Sequence, residues 1–217
     1  MAEKIKKGFF LSFEGPEGSG KSTQLEMLFR RLVLDGYDVC RTAEPGGTDL
    51  GKKIRDILLE RDEIRLGSLA ELFLFEADRA QHIEEIIKPE LSRNKVVVCD
   101  RFNTATFAYQ GYGLGMDMGL IESVDGFCRQ GTEPDLTVII DIDFDTGMAR
   151  ATSGGKADRM EKRAAEFHAK VRQGYLNMAG KEPERIKVID GSGSIDDVHA
   201  EIKREVYALI ERHKRSE

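Results

Sequence analysis

Residues 15–23 read GPEGSGKST. Gly15, Gly20, Lys21 and Ser22 fill the frame G-x-x-x-x-G-K-[ST], a loop whose backbone N–H groups and lysine hold phosphate. Those four positions coincide by chance in only about 1% of chains of this size and composition. The setting sharpens the reading. An apolar run, GFFLSF (8–13), leads into the loop, and a helical pattern, STQLEMLFRRL (22–32), follows it. Strand, loop and helix in that order let the amides at the helix start face a bound phosphate. Glu17 breaks the pattern, because it sets a carboxylate among groups that attract anions.

Working outward, four more apolar runs alternate with helical patterns: YDVCRT (37–42), KVVVCD (95–100), LTVIIDI (136–142) and RIKVID (185–190). Each is nearly continuous rather than alternating, as expected of strands buried on both faces of a parallel sheet. Helices are predicted over about 21–35, 48–60, 67–93, 117–130, 144–152, 160–179 and 195–214, the last capped by Ser194. This alternation predicts one α/β domain, a five-stranded parallel sheet flanked by helices. No internal repeat or low-complexity tract interrupts it. TSGGKAD (152–158) reads as a small mobile loop, since too little chain follows it for a second domain.

Composition narrows the class. A chain of 217 residues, 40% hydrophobic and 33% charged, can bury a core and remain soluble. The net charge is −6 without a basic stretch, so nucleic acid is not expected as a partner. No run of 18 apolar residues occurs, and a membrane span is not expected. The start, MAEKIKKGFFLSFEG, runs straight into the phosphate loop, so cleavage of a signal peptide there would destroy the motif. Cys40, Cys99 and Cys128 lie far apart and are odd in number, which suits a reducing, cytoplasmic setting rather than disulfides or zinc.

Asp100-Arg101 closes an apolar strand, where ligands of α/β proteins bind. Arg101 can clamp phosphate with its planar fork; Asp100 can hold a cation through water or orient the phosphate. Phe75 and Arg79, spaced i, i+4, lie side by side on a helix, a ring beside a guanidinium. A guanine-reading Asn-Lys-x-Asp is absent, since Asn94-Lys95 runs into Val-Val. That excludes a GTPase switch; a motor or DNA-dependent ATPase would be longer and carry a basic face, which leaves a small kinase that brings a phosphorylated acceptor to ATP.

GPEGSGKST, EPGGT (44–48), LFEADR (74–79), DRFNTATFAYQG (100–111), PDLTVIIDID (134–143) and ARATSGGKADRME (149–161) together resemble the thymidylate kinase family. The resemblance spans the chain from first strand to last helix. It implies the P-loop kinase fold with a lid at about 150–160, and transfer of phosphate from ATP to dTMP, giving dTDP for dTTP synthesis. It also implies Mg²⁺ and a homodimer. The ATP loop would comprise Gly15, Pro16, Glu17, Gly18, Ser19, Gly20, Lys21, Ser22 and Thr23, with adenine near Gly191-Ser192-Gly193. Lys21 would reach the β- and γ-phosphates, while Ser22 and Asp100 would hold the metal. In the same family Glu17 would face the acceptor and accept a hydrogen bond from its 3′-hydroxyl.

The acceptor phosphate would meet Arg55 and Arg101. Phe75 would stack on thymine while Arg79 donates to O4; Thr106 and Gln110 would lie at the base edge, and Tyr109 would exclude a 2′-hydroxyl. Gly18 leaves the loop without the arginine some relatives carry there, so the catalytic cation would come from the lid: Arg150, Lys156 or Arg159. One departure stands out, Ala43 where the family often has arginine, with Arg41 two residues earlier. The rival readings are a kinase of the same fold acting on another nucleoside monophosphate or deoxynucleoside, and a non-catalytic ATP-binding regulator. A regulator needs no acceptor clamps.

Overall fold

The computed structural model describes residues 5, 7–61, 63–152, 159–160 and 162–215. Five strands form one parallel sheet in the order β2-β3-β1-β4-β5: β1 (Phe9–Glu14), β2 (Val39–Ala43), β3 (Val96–Asp100), β4 (Leu136–Asp141) and β5 (Ile186–Asp190). All six residues of β1 are buried, as its continuous apolar run predicts. On one face Phe9, Leu11 and Phe13 pack against Leu25 and Leu28 of α1 (Lys21–Leu34) and Ile202 and Val206 of α9 (Ile195–Arg215). On the other, Phe10 meets Phe102, Ile83 and Ile87. Each such side chain contributes about 1.5–3 kcal/mol when buried. A charge at Leu11 or Val98 would therefore break the sheet before it disturbed any site.

β1 lies between β3 and β4, so the chain leaves it toward one side and later returns on the other. Loops from the carboxyl ends of β1 and β3 diverge there and open a crevice. The phosphate loop follows β1 and Asp100-Arg101 closes β3, so both enter that crevice. Phe13 is opposite Asp100 in register, which fixes the two loops side by side.

The remaining helices are α2 (Asp49–Arg55), α3 (Ser68–His82), α4 (Lys88–Ser92), α5 (Asn103–Thr106), α6 (Met118–Arg129), α7 (Phe144–Thr152) and α8 (Ala165–Lys181). The single helix predicted over 67–93 is α3 and α4 joined by a π-helical turn, Ile83–Ile87. Pro89 in the first turn of α4 cannot donate and crowds the carbonyl four residues back; the wider turn ahead of it accommodates both effects. A second π-helical turn, Asp56–Glu60, ends the predicted 48–60 helix. α5 and the π-helical turn Phe107–Gly113 have no counterpart in the predicted elements. Ala108, Tyr109, Gln110 and Gly111 are all buried there, so no polar face marks a period. α9 starts as expected, the Asp197 N–H donating to Ser194 Oγ at 3.2 Å. No helix among the described residues is long and apolar enough to cross a membrane.

Candidate functional site

Two cavities, of about 500 and about 610 Å³, share Gly18, Lys21 and Ser22 of the phosphate loop in their linings. Lys21 lies between them, Nζ donating to the Gly15 and Pro16 carbonyls at 2.9 and 2.8 Å. Burial chiefly, with the Arg101 charge, pushes its pKa down to about 8, against the pull of Glu17 and Asp100. Gly18 is fixed by two constraints. Its φ is +67°, and a Cβ there would lie 1.8 Å from the Gly147 carbonyl of α7. No arginine fits at that position while α7 packs on the loop.

In the 500 Å³ cavity Glu17 points away from the phosphate-cradling side. Its Oε2 accepts from Arg101 Nη2 at 2.6 Å and its Oε1 from Tyr109 Oη at 2.8 Å. Burial alone would raise its pKa; Arg101, then Lys21 and the Tyr109 hydrogen bond, hold it below the usual carboxylate range. Arg101 also donates through Nη1 to Gly15 O at 3.2 Å and Tyr175 Oη at 3.1 Å, and its guanidinium lies 4.9 Å from the Tyr109 ring centre. Among the described residues three of its five N–H groups have protein partners, and two are left for a bound anion. Arg101 adopts φ +69°, a left-handed conformation costly for a long side chain, and this turn sends its guanidinium into the cavity. Arg55 reaches the same cavity and donates to Pro45 O at 2.9 Å.

Arg79 is almost wholly buried at the far end of this cavity. Nε donates to Glu44 Oε2 at 3.1 Å, Nη1 to Glu76 and to Asp125 Oδ1 (3.3 Å for the latter), and Nη2 to Thr106 Oγ1 at 3.0 Å. Among the described residues four of its five N–H groups are thus spoken for, and one remains for a ligand. Phe75 and Gln110 line the cavity with it, as do Thr106 and Tyr109. Ala43 lines it too. Arg41 pairs instead with Glu26 of α1 and does not replace the arginine expected at 43.

Of the loop residues expected to bind ATP, Gly18, Ser19, Gly20, Lys21, Ser22 and Thr23 line the 610 Å³ cavity; Gly15, Pro16 and Glu17 do not. Gly15 and Pro16 offer their carbonyls to Lys21, and the Glu17 side chain serves the other cavity. Gly191 and Gly193 extend the wall where adenine was expected. Arg150 of α7 lines it and donates to Gly191 O at 3.0 Å. Arg159 lies elsewhere: its backbone N–H donates to Leu59 O at 3.3 Å and its guanidinium to the carbonyls of Arg61 and Ile64. That anchoring leaves it outside the lining of both cavities. Lys156, the third candidate, lies outside the described residues. Ser22 Oγ donates to Asp100 Oδ2 at 3.3 Å where the two cavities meet, a pair of hard oxygen donors of the kind Mg²⁺ takes beside phosphate.

Several residues of the site carry no motif signal. Glu14 is buried beneath Arg101, accepting from Ser12 Oγ (2.9 Å), the Phe102 N–H (2.8 Å) and Tyr175 Oη (3.1 Å). Burial pushes its pKa up to about 7, against the Arg101 charge. Glu44 and Asp125 hold Arg79 from other elements, and His82 Nδ1 lies 2.8 Å from Glu44 Oε1. Among these only Glu44 carries a sequence signal, through EPGGT; the rest read as ordinary core or helix positions.

Known proteins match this arrangement along nearly its whole length. The family model described as thymidylate kinase matches residues 13–202. A thymidylate kinase of Halothermothrix orenii is 46% identical over 207 residues, 94% of this chain and 99% of that protein. One of Geobacter sp. strain M21 is 47% identical over 194 residues, covering 87% and 86%. The crystal structure of thymidylate kinase from Ehrlichia chaffeensis superposes with a TM-score of 0.76 at 37% identity, covering 93% of this chain and 99% of that one.

Proposed function

Because the chain belongs to the thymidylate kinase family, we propose that its two cavities are the acceptor and donor sites of one transfer reaction. The enzyme is a phosphotransferase that converts dTMP to dTDP with ATP as donor. One observation carries the assignment of the cavities: Gly18, Lys21 and Ser22 line both, so donor and acceptor phosphates meet across a single loop.

In this reading dTMP occupies the cavity of Arg101, Phe75 and Arg79. Its phosphate takes the two unpartnered N–H groups of Arg101 and is flanked by Arg55. The attacking oxygen is already ionised, so no side chain has to remove its proton. As it bonds to the γ-phosphorus of ATP, the bond from that phosphorus to ADP breaks. Lys21 and Arg150 neutralise charge that spreads over the transferring group. Ser22 and Asp100 would hold Mg²⁺, which would supply positive charge to offset that of the donor phosphates. Glu17 keeps lone pairs on both oxygens after binding Arg101 and Tyr109, and these accept the 3′-hydroxyl. Its carboxylate therefore belongs to the acceptor, not to the phosphate cradle.

We further propose a homodimer through α3 and α6, which pack against one another and expose Leu69, Phe73, Leu120 and Phe127, the last 86% accessible. Sedimentation should give twice the monomer mass, and Phe73→Glu with Phe127→Glu should halve it. A wild-type monomer at micromolar concentration contradicts this. For the reaction, transfer should be measured with dTMP, dUMP, dCMP and dGMP. The expected result is dTMP favoured by about tenfold or more over dCMP; equal use of dCMP or dGMP overturns the acceptor assignment.

A further inference from the structure

Gln110 is 2% exposed, and its Nε2 donates to Glu71 Oε1 at 2.9 Å. Glu71, also 2% exposed, accepts at Oε2 from Arg163 Nη2 at 2.6 Å. Arg163 follows the lid segment, lies 4.6 Å over the Phe167 ring, and donates its backbone N–H to Met160 O at 3.1 Å. Met160 itself lines the acceptor cavity. These contacts form one chain from the end of the lid to the base edge.

From this chain we infer that Glu71 and Arg163 are positioning residues that determine base specificity by fixing which end of the Gln110 amide faces the acceptor. The assignment of amide oxygen and nitrogen follows from chemistry. A carboxylate paired with a guanidinium offers only acceptors, so only the –NH₂ end of Gln110 can face it. Gln110 Oε1 is then left toward the cavity, with no protein partner among the described residues. At its base end the cavity presents an acceptor, Gln110 Oε1, and a donor, the remaining N–H of Arg79.

Thymine offers the complement, a C4 carbonyl that accepts and an N3–H that donates. Cytosine inverts both, with an amino group at C4 and a bare N3, so each contact would set like against like. An unpaired buried group is penalised more than a matched pair is rewarded, which makes such inversion an effective filter. Without Glu71 the amide could turn over and offer –NH₂ to cytosine N3. Uracil has the same edge polarity as thymine and must follow it.

The inference rests on the acceptor assignment above, and the test separates the two. Glu71→Gln keeps the volume but lets either amide end face Gln110. kcat/KM is measured for dTMP, dUMP and dCMP in wild type and variant. The expected result is a dTMP-to-dCMP ratio lowered by about tenfold or more, with dUMP falling alongside dTMP. Arg163→Met keeps packing on Phe167 and should lower the same ratio by about threefold, which serves if Glu71→Gln does not fold. A common loss for all three acceptors, or an unchanged ratio in both variants, overturns the inference. A wild type that does not prefer dTMP to dCMP overturns the acceptor assignment instead.

Discussion

Arg101 Nη2 lies 2.6 Å from Glu17 Oε2, so the acid of the phosphate loop and the arginine closing β3 form one ion pair. The pair crosses the crevice between the carboxyl ends of β1 and β3. Glu17 therefore draws the guanidinium toward the loop while Arg101 draws the carboxylate out of the phosphate cradle. In the proposed reading, this one contact sets both donor and acceptor geometry.

Arg79 faces three carboxylates, and its removal should be felt first as a loss of stability. In Arg79→Ala, Glu76 and Glu44 lose the arginine that faces them, while Asp125 keeps Arg129. Stranding buried charge in this way costs about 3–5 kcal/mol, or roughly 10 °C in Tm for a chain of this size. Arg79→Lys restores the charge but not the fork, so it should regain most of the Tm while dTMP binding remains weak. A melting temperature unchanged in Arg79→Ala contradicts the network.

Arg150, with Lys21, lines the cavity proposed for the donor. Arg150→Ala should lower single-turnover kcat by about 10²-fold with little change in Kd for dTMP. Arg159→Ala should leave kcat within about threefold of wild type, since its guanidinium serves the carbonyls of Arg61 and Ile64. The opposite ranking in single-turnover transfer would return the catalytic role to Arg159.

Glu14 makes stability depend on pH. Its pKa of about 7 in the fold lies above the ordinary 4.5, so the folded protein holds this proton more tightly than the unfolded chain. Stability from this group is full below the ordinary value and falls as pH rises through about 7, by about 1–3 kcal/mol. Asp78, pushed up to about 6 by burial and by Glu44, adds a loss of the same sign over a lower window. Urea unfolding at about pH 5 and about pH 8 should show wild type declining relative to Glu14→Gln. Parallel pH profiles for the two proteins would contradict it.

The spacing of the phosphate loop and the five continuous apolar runs make the sheet and its ligand crevice readable, because both depend on local chemistry. Where Glu17 points is not local. Tyr109 and Arg101, which aim it, stand 92 and 84 positions along the chain. The pairing of Phe75 with Arg79 is readable at i, i+4; the burial of Arg79 among Glu44, Thr106 and Asp125, 35, 27 and 46 positions away, is not. The lid arginines likewise look equivalent in sequence. Only the packing of α7 against Gly18 and the anchoring of residue 159 to residue 59 separate Arg150 from Arg159.

The pairing of Glu17 with the acceptor is tested most directly by crossing a change in the protein with a change in the substrate. kcat/KM is measured for dTMP and its 3′-deoxy analogue in wild type and in Glu17→Gln, with ATP affinity followed in both. Wild type should lose about 10- to 100-fold on 3′-deoxygenation, the worth of a hydrogen bond to a charged group. Glu17→Gln should lose a similar factor with dTMP, bind ATP as before, and show little further loss with the analogue. Equal losses from 3′-deoxygenation in both proteins would show that the carboxylate does not hold the acceptor's 3′-hydroxyl.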